Sequence, residues 1–269
     1  LFPADHFYQV YQDRAGNNWL LTDNGLGMIR PGERQPVNYF VETQGKQDGM
    51  NQAFYAVREC EDDICFTSDR GRIWCYQKKS GEFRLHELPT KARITSIHAV
   101  GNDNTVVTTD SDGFFLSNLK TNKHIHYSPV TCKELSDQPI LSAYVDRTSE
   151  VWFEQEEPGV VVHFNPATGV VKREQMRVEY SNADRSRPAF HIHEDIHGHV
   201  WVHPYGGGFS YFDRERNCLV PFYDDLGSNN WRFSNKIHAA FSDKQGNLWL
   251  CTHSKGLEKV TFRNVPFSM

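Results

Sequence analysis

An Asp-x-x-Gly-x-x-Trp motif recurs along this 269-residue chain, at Asp13/Gly16/Trp19, Asp195/Gly198/Trp201 and Asp243/Gly246/Trp249. Looser copies stand between them, at Glu59/Asp62/Cys65, Gly101/Asn104/Val107 and Asp146/Ser149/Trp152. Anchored on the last position, the copies fall at 19, 65, 107, 152, 201 and 249, in steps of 46, 42, 45, 49 and 48 residues. That period is the sequence signature of β-propeller blades. Six repeats fill residues 1–269, so one domain is expected, an all-β propeller of six four-stranded blades. The alternative is six blades of a larger seven-bladed or tandem array.

Each copy reads as four strands. The first alternates with period two, as in Phe7-Tyr8-Gln9-Val10-Tyr11 and Ile237-His238-Ala239-Ala240-Phe241. The Asp-x-x-Gly turn follows, in which the Asp accepts hydrogen bonds from the turn's own backbone and the Gly takes a positive φ. The second strand carries the Trp, and a second turn follows at Gly25, Gly71, Gly113, Gly159, Gly206 to Gly208 or Gly256. A sheet that is apolar on both faces cannot shield itself, so each copy needs neighbours, and the Trp is a large plate for that contact. Cys65 and Val107 at the Trp position predict smaller contacts in the second and third copies. The repeated Asp13, Gly16, Trp19, Trp152, Asp195, Gly198, Trp201, Asp243, Gly246 and Trp249 are therefore expected to build blades, not to touch ligand.

The formal charge is −5 and there is no long basic run, which argues against a phosphate-backbone footprint and nucleic-acid binding. The apolar runs are too short to span a membrane. There is no signal peptide and the chain starts at Leu1, which reads as a segment of a longer protein. The six cysteines, at 60, 65, 75, 132, 218 and 251, show no C-x-x-C pair and no zinc spacing. Cys65, Cys75 and Cys251 lie on strands and are expected as small buried apolar residues. Cys65 and Cys75 flank a tight turn, so a cross-strand disulfide is the other reading.

The segment Asp243-Lys244-Gln245-Gly246-Asn247-Leu248-Trp249-Leu250-Cys251-Thr252, followed by Gly256-Leu257, resembles the two-component regulator propeller repeat. The run from Asp13 to Trp19 and on to Gly25-Leu26 is nearly as close. The resemblance implies the extracytoplasmic, periplasmic sensor region of a membrane-anchored hybrid two-component kinase, non-enzymatic in itself and without cofactor. It implies carbohydrate sensing, with an oligosaccharide ligand. It also implies contact with a neighbouring propeller or an immunoglobulin-like domain of the same protein, or with a second copy in a homodimer. The sialidase Asp-box differs, with one residue between Asp and Gly where this chain has two.

In a propeller, the turns between second and third strands share a rim with the loops that join successive blades. Those joining loops vary most here, at 44–52, 131–138, 180–188 and 224–233, and length variation on one rim marks a binding face. Tyr180, Arg185, Arg187, Tyr205, Trp231 and Arg232 are the candidate ligand-binding residues, an aromatic and guanidinium set suited to sugar rings, hydroxyls or a uronate carboxylate. Five histidines cluster at 191, 193, 197, 199 and 203, but no metal motif includes them and no metal is expected. Glu156-Glu157 is too local for a catalytic pair. Two other readings compete: a protein-interaction scaffold, and a glycan hydrolase or lyase using Glu154 and His203 from adjacent blades.

Overall fold

The structure is a computed structural model that describes residues 4–40, 52–101, 103–176, 191–203, 209–221, 237–252 and 256–261. Every element among these is a β-strand. The first sheet contains β1 (Phe7–Gln12), β2 (Asn18–Thr22), β3 (Gly25–Ile29) and β4 (Val37–Tyr39). The second contains β5 (Phe54–Glu59), β6 (Asp63–Ser68), β7 (Arg72–Gln77) and β8 (Phe83–Glu87). The third has β9 (Ile94–Val100), β10 (Asn104–Thr109), β11 (Phe114–Asn118) and β12 (Lys123–Tyr127). The fourth has β13 (Ile140–Val145), β14 (Val151–Gln155), β15 (Val160–Asn165) and β16 (Val170–Gln175), and the fifth has β17 (His191–Glu194), β18 (Val200–His203), β19 (Ser210–Asp213) and β20 (Cys218–Pro221). The sixth shows β21 (Ile237–Ser242), β22 (Leu248–Thr252) and β23 (Gly256–Val260). In every sheet the strands lie in sequence order with antiparallel neighbours, the up-and-down order of propeller blades. The chain divides into two compact units, Leu1–Ala143 and Tyr144–Met269.

The repeated turn is one hydrogen-bonded device used four times. Asp13 Oδ1 accepts the Ala15 and Asn17 backbone N–H groups at 3.0 and 2.8 Å. Its Oδ2 accepts Trp19 Nε1 at 2.9 Å. The same Nε1–carboxylate bond, at 2.9 Å each time, joins Trp152 to Asp146, Trp201 to Asp195 and Trp249 to Asp243. A second donor completes each Oδ2: Asn17 at 2.9 Å, Arg214 at 3.0 Å, His199 at 3.0 Å and Asn247 at 2.8 Å. Burial disfavours the Asp13, Asp146 and Asp195 carboxylates, but these donors together outweigh it and hold all three below the usual range. At half-buried Asp243 the Trp249 bond leads and the carboxyl falls to about 2. The glycine seat has φ of 85, 89 and 83° at Gly16, Gly198 and Gly246, and Ser149 accepts the same seat at 66°.

Apolar faces meet inside each unit. Trp19, Leu21, Leu26 and Met28 of the first sheet pack on Phe54, Ile64 and Phe66 of the second. Cys65, Ile73 and Cys75 of the second, with Leu88, pack on Ile94, Ile97, Val107 and Phe115 of the third. In the other unit Trp152 and Val161 meet Val200, Val202 and Phe212, and Trp201 and Phe209 meet Ile237, Leu248 and Leu250. Cys65 and Cys75 pair directly across β6 and β7 and form a disulfide, both fully buried. Cys251 departs from expectation and is exposed. Alternation puts it on the face opposite buried Leu248 and Leu250, together with exposed Phe241 and Leu257. No helix among the described residues is long and apolar enough to cross a membrane.

Candidate functional site

The rim of the first unit holds a cavity of about 480 Å³. Two kinds of loop build it. Ser68, Asp69, Arg70 and Arg72 come from the turn between β6 and β7, Asp110 and Ser111 from the turn between β10 and β11, and Lys91, Ala92 and Arg93 from the connection into β9. Gln52, just before β5, closes one wall. Second-to-third-strand turns and sheet-joining loops thus line one surface.

Local chemistry fixes these loops. Gly71 has φ of 69°, and a Cβ there would lie 2.8 Å from the Thr90 carbonyl oxygen and 3.0 Å from that of Leu88. Only glycine lets the turn press so closely on the joining loop. Gly71 N–H then donates to Ala92 C=O at 3.0 Å, and Leu88 N–H donates to Gly71 C=O at 2.9 Å. Asp110 is tied back to the residue that leads into β9, accepting Arg93 N–H at 3.2 Å and Arg93 Nε at 3.3 Å.

The charges are uneven: Arg70, Arg72, Lys91 and Arg93 face Asp69 and Asp110. Both Asp69 oxygens accept Tyr55 OH at 3.1 Å. Burial, then the charge of Asp69, holds the Tyr55 phenol above its usual range, so it stays a donor. The Arg93 guanidinium sits 5.2 Å from the Tyr55 ring centroid, a cation–π contact. Arg72 pairs with Glu87 at 3.3 Å. Gln52 is 4% exposed, and among the described residues neither its Oε1 nor its Nε2, both closed off from solvent, has a hydrogen-bond partner. Such a cavity can take hydroxyl and anionic groups together.

The rim residues expected from the sequence, Tyr180, Arg185, Arg187, Tyr205, Trp231 and Arg232, lie outside the described residues. The cationic cavity was not foreseen, although the turns at Gly71 and Gly113 and the loop ending at Gln52 were named. The signal available was the pair of short runs Arg70-Gly71-Arg72 and Lys91-Ala92-Arg93. Of the histidines, His199 caps Asp195 and His193 Nε2 lies 2.8 Å from Ser242 Oγ. Both therefore have protein partners. The one close group of metal-ligating types among the described residues is Asp63, Cys65 and Cys75, and its sulfurs are joined to each other. Glu154 and His203 are both buried, on β14 and β18.

The two-component regulator propeller family matches at residues 232–254. No curated protein matches the sequence. Among solved structures, the chain is similar to the extracellular domain described for a hybrid two-component system of B. thetaiotaomicron, at 18% identity and a TM-score of 0.63. That alignment covers 96% of this chain and 34% of the other, so the chain spans about a third of its length. A streptogramin B lyase aligns at 15% identity and TM-score 0.64, covering 98% of this chain and 85% of the lyase. YCF48 bound to D1 peptide aligns at 12% identity and TM-score 0.60, covering 95% and 79%. These likenesses establish the fold, an all-β propeller, and such a fold hosts unrelated functions.

Proposed function

We propose that this propeller, which carries a two-component regulator propeller repeat, is an extracytoplasmic ligand-sensing segment of a two-component signalling protein. Its ligand is a carbohydrate held on the loop-built rim. Binding there shifts the balance between arrangements of neighbouring domains, either another propeller, an immunoglobulin-like domain or a second copy in a homodimer, and so biases a kinase elsewhere. The observation that carries the reading is the polar rim cavity, lined by four cationic side chains and two carboxylates, on a repeat-matched propeller. The buried Cys65–Cys75 disulfide supports an oxidising compartment such as the periplasm. The test is titration calorimetry of the intact sensor region against a panel of neutral and acidic oligosaccharides. Binding to at least one is expected, and silence across the panel defeats the proposal.

A second reading is catalysis on a glycan by Glu154 and His203; the likeness to a streptogramin B lyase is one of fold. Glycan turnover by the chain that disappears in Glu154→Gln and His203→Ala would establish it in place of sensing.

A further inference from the structure

We infer that the rim cavity of the first unit selects an acidic sugar, one bearing a carboxylate or a sulfate ester, over its neutral counterpart. This rests on the sensing role proposed above and adds the ligand's charge to it.

The first support is the charge left over. The cavity has four cationic side chains against two carboxylates, and both carboxylates already accept hydrogen bonds, Asp69 from Tyr55 and Asp110 from Arg93. Arg72 shares Glu87. Arg70 and Lys91 are exposed and have no acidic partner among the described residues. The unbalanced positive charge therefore sits on two cations free to meet an incoming anion.

The second support is the seat of Arg70. Three turns begin alike, as Thr22-Asp23-Asn24, Ser68-Asp69-Arg70 and Thr109-Asp110-Ser111. The residue after the Asp is a small polar one in the first and third sheets and a long cation in the second. Arg70 also adopts a left-handed φ of 57°, a conformation that residues with a Cβ rarely take. Nothing in the blade's own packing requires a guanidinium there. Even the hydroxyl before it departs: Thr22 and Thr109 bond their own turns, at Gly25 and Gly113, whereas Ser68 Oγ turns away to Ala53 C=O at 2.8 Å, beside Gln52.

The third support is the presence of Asp69 and Asp110 in the same lining. A bare inorganic anion would meet the cations and be repelled by these carboxylates, whereas a sugar's hydroxyls donate to their remaining lone pairs. The cavity lies in the size range of small-ligand sites. A ring with hydroxyls toward Asp69 and Asp110 and an anionic substituent toward Arg70 and Lys91 meets both demands.

The experiment is titration calorimetry of the chain with two matched pairs: tetragalacturonate with its methyl ester, and a sulfated galactan disaccharide with its desulfated form. The same titrations are run on the Arg70→Asn/Lys91→Gln variant, whose thermal unfolding is measured alongside. Asn suits the left-handed seat, so the variant is expected to unfold as the parent does. At least one charged ligand should bind. Neutralising the ligand, or substituting both cations, should each weaken it about tenfold or more, the usual scale for a charged hydrogen bond. The pair that responds separates carboxylate from sulfate. Equal binding of charged and neutral forms, or undiminished binding of the charged ligand by the variant, overturns the inference. Binding of neutral sugars alone also overturns it and leaves the sensing role standing, whereas no binding of any sugar removes both.

Discussion

The first and second sheets meet through an aromatic interface, and the second and third through a mostly aliphatic one into which the second sheet's own disulfide packs. At the first, Trp19 lies fully buried with its ring 4.8 Å from Phe66 and 5.0 Å from Tyr76. Its Nε1 is tethered to Asp13. At the second, the Trp position is occupied by Cys65, which is bonded to Cys75 and surrounded by Ile73, Ile94, Ile97 and Val107. The turn acid is lost with the Trp: Arg58 faces Cys65 as Tyr11 faces Trp19, which sets Cys60 where Asp13 stands and Glu59 where Gln12 stands. Glu59 accepts Tyr11 OH at 2.8 Å, Arg14 N–H at 3.1 Å and Lys78 Nζ at 2.7 Å. Blade stacking therefore requires a filled apolar face and a fixed turn, and two chemistries supply them. One is a tethered aromatic plate. The other is a covalent staple within the second sheet with smaller side chains around it. The clasp of Glu59 on the preceding sheet is shared with Glu194, which accepts Arg147 N–H at 2.9 Å beside an intact Asp195–Trp201 tether.

Trp19→Ala should have the largest effect on this contrast, because it opens a cavity and strips Asp13 of a donor. Chemical denaturation should show a loss of about 3–5 kcal/mol; a loss below about 1 kcal/mol would mean that the aromatic interface does not dominate. Next comes Cys65→Ala with Cys75→Ala. The ten-residue separation sets a loop-closure contribution of about 2–3 kcal/mol in the chain-entropy view. The same drop should follow reduction of the parent protein, and the Trp19 interface should be insensitive to reductant. The smallest effect is Asp13→Asn, about 1 kcal/mol near neutral pH, the difference between a charged and a neutral acceptor. Its signature is the pH dependence. The folded Asp13 carboxyl is lowered, so its contribution is present above the unfolded value of about 3.9 and is lost as pH falls from there through the folded value. Denaturation midpoints from pH 5 to pH 2 should fall less steeply in Asp13→Asn than in the parent, and parallel curves would refute the tether's electrostatic role.

Much of the blade was legible in the residues because its determinants are local. The Asp-to-Trp spacing places carboxylate and indole on one turn and one strand, six residues apart, and period-two alternation marks the strands around them. The indole tether itself is less legible, since it depends on the strand twist that brings Nε1 back over the turn. Cys251 shows a further limit: alternation says that it lies on a face, not whether that face is covered.

What the amino-acid sequence determined by itself is the unit: its period, its turn chemistry, its apolar faces and hence the need to stack, because these depend on residues a few positions apart. What only the tertiary structure decided is the cavity. Gln52, Arg70, Lys91 and Asp110 are separated by about twenty residues at each step, and none belongs to the Asp-to-Trp motif. They converge because stacking the sheets brings successive rim loops side by side, and neither periodicity nor composition encodes which loops then share a wall. The choice between two nearby half-cystines and two buried thiols was likewise settled by strand register, which sets Cys65 directly opposite Cys75.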